Sequence, residues 1–282
     1  MVNVTFWGVR GSTPCPCEPN RRYGGNTACV SVQAPGLDPI VFDLGTGLRF
    51  FGDALAGADE PFRGLALVTH MHWDHVQGLP FFTPIHRPGS SLQVYGRSER
   101  CSLHEGFHTF MRPPFFPVGP ADLAGDIEFH DFEPGEMTWG RAHITALDVP
   151  HTGLTNGYRV EIDGVVVTYV SDHQQPPDAS FVAPEVLELC RDADLVIHDA
   201  QFEPAEFAVK ADWGHCTVQY AVEVAKQAGA RRLALFHHDP SHNDDTLDRL
   251  EVEARELIAG SPVREVFAAA EGLTVSLSSA LV

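Results

Sequence analysis

The segment Gly64-Leu65-Ala66-Leu67-Val68-Thr69-His70-Met71-His72-Trp73-Asp74-His75 decides the fold. Its first half is an almost unbroken apolar run, the pattern of a strand covered on both faces. The second half places three histidines and one aspartate at the end of that strand. In an extended segment residues two apart emerge on the same side, so His70 and His72 present their imidazoles together. Asp74 and His75 follow where the chain is expected to turn into a helix. Imidazole and carboxylate are the donors of borderline divalent metals, and this density of them in one loop can serve two adjacent ions.

Outward from this segment the chain reads as two successive sets of strands with helices between them. On the N-terminal side, Val2 to Gly8, Ala28 to Ala34 and Ile40 to Leu44 are short apolar or alternating runs bounded by Gly, Pro and Asn, and Leu48 to Leu55 is a short helix. On the C-terminal side, residues 92 to 95 predict a strand and 98 to 111 a helix. The stretch from Arg112 to Pro120 is a stiff Phe/Pro loop that cannot be helical. Ile127 to Phe132, His143 to Val149, Gly157 to Ile162 and Val165 to Val170 form the second set of strands, with a hairpin turn at Asp163-Gly164. Helices at Pro184 to Cys190, Thr217 to Gln227 and Asp245 to Ile258 then alternate with strands at Leu195 to His198 and Arg232 to Phe236. A final strand pair, Glu265 to Leu277, turns at Glu271-Gly272. Two packed sheets with helices outside, an α+β arrangement, is the expected architecture. No linker composition interrupts it, so residues 1–282 are read as one domain.

The chain has 282 residues and a formal net charge of −19, with 44% hydrophobic residues. That composition is globular, and the length is ample for a core. The longest uninterrupted apolar run, Val266 to Ala270, is far short of the roughly 20 residues that span a bilayer. The start, Met1-Val2-Asn3-Val4-Thr5-Phe6, alternates like a strand rather than a secretory signal. A cytoplasmic protein without membrane contact is expected. The negative charge counts against nucleic acid as a partner, because binding it normally needs a basic surface. Six cysteines, of which only Cys15 and Cys17 lie close together, read mostly as free thiols.

His-x-His-x-Asp-His after a hydrophobic strand resembles the metallo-β-lactamase superfamily, and the resemblance extends through most of the chain. It implies an αββα sandwich with two divalent ions at one edge, zinc first, with manganese, iron or nickel as alternatives. It matches the superfamily's further ligands to His151 in Asp148-Val149-Pro150-His151-Thr152, to Asp172 in Tyr169-Val170-Ser171-Asp172, and to one of the pair in Leu235-Phe236-His237-His238, where His237 comes first after the strand. By the same resemblance His70, His72 and His151 hold one metal, Asp74, His75 and His237 hold the other, and Asp172 bridges. Asp43-Leu44-Gly45-Thr46-Gly47 is similar to the element that buttresses this loop across the superfamily.

The complete hexapeptide, with a carboxylate rather than a thiol at Asp172, places the chain nearer the phosphodiesterase branch. His198-Asp199-Ala200-Gln201-Phe202 followed by Trp213-Gly214-His215-Cys216-Thr217 is similar to the tRNA 3′-processing endonucleases, in which a carboxylate orients a histidine at the scissile phosphate. Asp74, Asp199 and His215 are therefore the candidate catalytic residues; the alternative for His215 is a cap on the helix near Thr217. His72 to Leu79 also resembles the cyclic-phosphate phosphodiesterase of phosphonate breakdown, whose N-terminal loop holds a structural zinc. Cys15-Pro16-Cys17 matches that loop only in part, with Asn20 where a third Cys is expected. Gly24-Gly25-Asn26-Thr27 is either a turn or a source of backbone amides for a ligand.

These readings make a dinuclear phosphodiesterase acting on small or cyclic phosphodiesters the leading expectation. A tRNA 3′-endonuclease and an ester or lactone hydrolase on the same site are its alternatives, and homodimerisation is left open. The segment from Cys101 to Gly140, rich in Phe and Pro, is expected to lie as a lid over a small apolar ligand.

Overall fold

The computed structural model describes residues 1–279. The strands are β1 (Val2–Gly8), β2 (Cys29–Gln33), β3 (Ile40–Phe42), β4 (Arg63–Leu67), β5 (Ser91–Gly96), β6 (Asp126–Asp131), β7 (Gly135–Trp139), β8 (Ala142–Asp148), β9 (Asn156–Ile162), β10 (Val165–Val170), β11 (Leu195–Asp199), β12 (Arg232–Phe236), β13 (Glu265–Ala268) and β14 (Thr274–Leu277). They form two seven-stranded sheets, in the orders β14-β1-β2-β3-β4-β5-β6 and β13-β12-β11-β10-β9-β8-β7.

The alternation of side chains explains why β4 is apolar throughout. Leu65 and Leu67 enter the core between the sheets, while Ala66 packs on the outer side against the helices. In β12, Ala234 and Phe236 face the inter-sheet core, and Leu233 and Leu235 face outward to helices. Aromatic contacts join the two sheets: Phe42 stacks on Tyr169 with ring centroids 4.7 Å apart, and Phe6 meets Phe236 at 6.2 Å. Helices α1 (Leu48–Ala54), α2 (Trp73–Val76) and α3 (Leu103–Phe110) belong to the first half of the chain. Helices α4 (Pro184–Cys190), α5 (Pro204–Phe207), α6 (Val218–Gln227) and α7 (Asp244–Leu257) belong to the second. Layers of helix, sheet, sheet and helix result, the expected αββα sandwich.

Strand direction places the functional edge. The ladders β3-β4, β4-β5, β10-β11 and β11-β12 are parallel. Strand β8 is antiparallel to β9, which is antiparallel to β10, so β8 and β10 run the same way. The chain therefore leaves β4, β8, β10, β11 and β12 as strands whose carboxyl ends, the usual location of sites in such sheets, carry the candidate residues.

Four features differ from the sequence reading. A strand at Gly135–Trp139 went unrecognised; it lies at a sheet edge and is half-exposed. Helix α3 starts at Leu103 rather than 98, because Ser102 and Glu105 close a capping box there. The final pair, β13 and β14, are not partners: β13 joins β12 in one sheet and β14 joins β1 in the other. Short α5 was not foreseen as a helix, whereas α2 begins where a turn into helix was expected at Asp74 and His75. The hairpin at Asp163-Gly164 is present, with φ values of 51° and 78°, both in the left-handed region that its tight turn requires.

Candidate metal centre

Each candidate ligand sits just past a strand. His70 and His72 follow β4, Asp74 and His75 open α2, His151 follows β8, Asp172 follows β10, and His237 follows β12. The structure brings these side chains together. Donor atoms of His70, His72 and His151 lie within 4.8 Å of one another, as do those of Asp74, His75 and His237. Asp172 stands between the two groups. Its Oδ2 is 3.7 Å from His151 Nε2 and 3.5 Å from His237 Nε2, and its Oδ1 is 3.2 Å from His75 Nε2.

The rings are aimed from behind. His75 Nδ1 donates to Asp43 Oδ2 at 2.7 Å, and His151 Nδ1 to the carbonyl of Gly214 at 2.6 Å. His237 Nδ1 donates to Gln201 Oε1 at 2.8 Å, while His70 Nδ1 lies 3.0 Å from the Thr69 hydroxyl. Each of these bonds leaves Nε2 as the atom facing the centre, the arrangement that orients imidazoles toward a metal. Asp43 is fully buried and also accepts from the Thr69 amide and the Tyr169 hydroxyl, so one carboxylate ties the ends of β3, β4 and β10 together.

Two observations test whether divalent metal fits. His75 Nε2 and Asp172 Oδ1 are buried and lack any hydrogen-bond partner, a costly condition that a cation relieves. The charge balance agrees. Burial favours the neutral form of His75, yet Asp74, Asp172 and Asp43 outweigh it and raise its pKa well above the ordinary range. His70, His72 and His151 are shifted the other way, chiefly by burial, and so keep lone pairs available. Burial would protonate Asp74 and Asp172, but the surrounding histidines hold both carboxyls well below the usual range. Three neutral imidazoles beside paired carboxylates are a donor set for divalent ions, and at His75 a cation would take the place of the proton that the carboxylates favour.

The backbone is strained to make this possible. Asp43, His237 and Ser12 all adopt positive φ, at 54°, 57° and 62°, unfavourable for residues with a Cβ. At Ser12 the turn aims the amide N–H at Asp74 Oδ2, 2.7 Å away. Gly11 lies so close beneath His237 that an added Cβ would come within 2.4 Å of the ring. His238, by contrast, points away: its Nε2 donates to the Ala269 carbonyl, and its ring packs on Tyr23.

A second group adjoins the first. His215 Nδ1 is 2.9 Å from Asp199 Oδ2 and 3.8 Å from Asp172 Oδ2. Burial lowers the His215 pKa, but Asp199, with Asp172 and Asp74 beside it, reverses this, and the net direction is upward. Asp199 is itself held by the amides of His173 and Gln201 at 3.0 and 2.9 Å. The cap of α6 is Thr217, whose hydroxyl accepts from the Tyr220 amide, so His215 is not consumed as a cap. A cavity of about 360 Å³ is lined by Ser12, His72, Asp74, Asp172 and His215 together.

Sequence reasoning had no signal for Ser12, Gln201 or Tyr169, which act through turn geometry and long-range contacts. The Gly24-to-Thr27 turn keeps its amides for itself: Asn26 N–H donates to Glu271 and Thr27 N–H to Thr46. In the N-terminal loop, Asn20 donates to the sulfur of Cys15 at 3.3 Å. Among the described residues no helix is long and apolar enough to cross a membrane.

Residues 40–238 match the model of the β-lactamase superfamily domain. A ribonuclease Z of Natronomonas pharaonis is 30% identical, with 98% of each chain covered. The metallo-β-lactamase fold protein YhfI of Bacillus subtilis superposes with a TM-score of 0.73 at 20% identity, covering 97% of this chain and 98% of that one. The short form of human tRNase Z superposes with a TM-score of 0.67 at 22% identity, covering 98% and 99%. These relatives overturn the expectation that nucleic acid is an unlikely partner. Net charge sums over the whole surface, whereas a polyanion is recognised locally, so −19 was not a sound ground for excluding it. The chain belongs to the β-lactamase superfamily domain family and is a metallo-β-lactamase-fold hydrolase of the ribonuclease Z-like branch.

Proposed function

We propose that this hydrolase cleaves phosphodiester bonds, with His70, His72 and His151 holding one divalent ion, Asp74, His75 and His237 a second, and Asp172 bridging them. The observation that carries this reading is the Asp199–His215 pair, 2.9 Å apart, whose histidine opens on the same cavity as the metal-ligand cluster. Ions bound there would neutralise phosphoryl charge and make a water nucleophilic at neutral pH. The chain supplies the rest. Asp199 accepts from His215 Nδ1 and favours the imidazolium, whose second proton, on Nε2, would pass to the leaving oxygen. An alkoxide leaving from phosphorus needs such an acid, whereas a lactone expels its alkoxide from a tetrahedral intermediate and makes weaker demands on it.

The ribonuclease Z relative, matched along 98% of its length, supports an RNA phosphodiester as the first substrate to try. A second reading, small phosphodiesters, is favoured by the apolar cavity that Trp73 and Phe115 line beside the centre. The test pairs metal analysis with turnover on a precursor tRNA bearing a 3′ trailer, on bis(p-nitrophenyl) phosphate and on a lactone. About two ions per chain and phosphodiester cleavage are expected. Lactone hydrolysis with both diesters intact would overturn the reading.

A further inference from the structure

The five residues from His70 to Asp74 build two surfaces at once. His70, His72 and Asp74 face the metal-ligand cluster, while the alternate residues Met71 and Trp73 line a neighbouring cavity of about 590 Å³. Val76, Phe110 and Phe115 complete its apolar walls, and Met71 and Trp73 also line the cavity containing Asp172 and His215. The two spaces are therefore contiguous through these two side chains. Trp73 is 75% exposed and Phe115 is 74% exposed, an unfavourable display for large aromatic rings on a surface otherwise rich in charge. Two polar groups are set into the wall, the Gln77 amide and the Thr109 hydroxyl. Neither side chain has a hydrogen-bond partner among the described residues.

We propose that this cavity is a base-binding subsite, taking the nucleobase next to the scissile phosphate, with Trp73 and Phe115 as the stacking faces and Gln77 and Thr109 as the groups that meet the base edge. This rests on the phosphodiesterase reading of the adjacent centre. Every base presents a flat π-face, so exposed aromatic side chains suit it with little regard to sequence. A base edge needs donors and acceptors not already spent within the protein, as these two are. Position supplies the remaining argument. Trp73 lies between two candidate ligands in the chain, so a base stacked on it has its attached phosphate beside the centre. Trp73, Phe115, Gln77 and Thr109 are specificity-determining residues under this proposal, and the metal-ligand cluster does not depend on them.

The experiment compares thymidine 5′-(p-nitrophenyl phosphate) with ethyl p-nitrophenyl phosphate, which share a leaving group and differ in the nucleoside. The wild type is expected to favour the nucleoside substrate in kcat/KM. Trp73→Ala and Phe115→Ala should each reduce that preference, read as the ratio of the two kcat/KM values, by about tenfold, through KM for the nucleoside substrate. In parallel, AMP should quench tryptophan fluorescence of the wild type but not of Trp73→Phe, a reading that needs no turnover. Equal use of both substrates by the wild type, or an unchanged preference in both alanine variants, overturns the subsite. If neither diester is cleaved by the metal-loaded protein, the phosphodiesterase reading falls, and the AMP titration alone decides the subsite. A dimer in the wild type that becomes a monomer in Trp73→Ala would overturn it by assigning this face to a second copy of the chain.

Discussion

The two halves of the sandwich contribute to the centre in opposite ways. The first sheet offers four candidate ligands from one loop, His70 to His75, anchored at the end of a single strand. The second offers three, His151, Asp172 and His237, from the ends of three strands, β8, β10 and β12. The loop half is open: Trp73 and Phe115 are exposed and the cavities gather around Met71. The strand half is closed, with Asp172, His173, His198 and Asp199 all buried and the last three hydrogen-bonded to one another or to backbone. A loop can vary its outward residues without moving its ligands, because alternate side chains point apart. Strand ends cannot, since shifting one moves a sheet. The open half thus suits substrate choice and the closed half suits chemistry common to many substrates.

If the division is real, damage to the closed half should be catalytic and damage to the open half selective. The largest effect is expected for Asp172→Ala, which removes the carboxylate standing between both ligand groups; turnover should fall to background and metal content should drop by elemental analysis. Retained metal with normal turnover would break the comparison at its centre. His215→Ala should keep its metal yet lose roughly 10²–10⁴-fold in turnover on substrates with alkoxide leaving groups. Activated aryl diesters should lose less, and equal losses on both would mean that His215 only packs. A smaller effect is expected at Asp43, which tolerates replacement by Asn at its positive φ. Asp43→Asn leaves the fold but weakens the anchor of His75, and metal affinity should fall by about 10–100-fold in a chelator titration.

The same contrast explains what was legible. The first half's candidate ligands were readable because they are neighbours in sequence, so their density needs no knowledge of topology. His151, Asp172 and His237 became readable only through resemblance, since each alone is an ordinary residue past a strand. Ser12 was invisible. Its amide reaches Asp74 through a turn with φ of 62°, and nothing in Gly11-Ser12-Thr13 announces that conformation. A single left-handed residue, His237 itself, separates the course of His237 from that of His238, turning one ring to the candidate centre and sending the next to Ala269. Sheet membership was equally hidden: β13 and β14 read as one returning pair, and no local pattern says that the chain crosses between sheets at that point. The start of α3 is the exception, because the Ser102-to-Glu105 capping box was present in the sequence and would have corrected the boundary.

The smallest expected effect concerns how dry the two halves are, and cysteines report it. In the first half Cys17 and Cys101, on its loops, are exposed and Cys29, in β2, is buried, while both cysteines of the second half, Cys190 and Cys216, are buried. An alkylating reagent should therefore modify Cys17 and Cys101 in the folded protein and reach Cys190 and Cys216 only on unfolding. The pH dependence is sharper. Burial at the end of α4 pushes the Cys190 thiol from an ordinary 9.0 up to about 12. Above the ordinary value the unfolded chain releases this proton while the folded chain keeps it, so stability is lost as pH rises from there toward the folded value. Between about pH 8 and about pH 10.5 the loss attributable to this thiol is about 2 kcal/mol, the product of 1.36 kcal/mol per unit and the interval above the unfolded pKa. Cys190→Ala should start less stable, because a buried sulfur is replaced by space. Its urea midpoint should then fall less steeply with pH than that of the wild type, all other titrating groups being shared. Parallel slopes for the two proteins would mean that water reaches Cys190, and the second half would lose its claim to be the closed one.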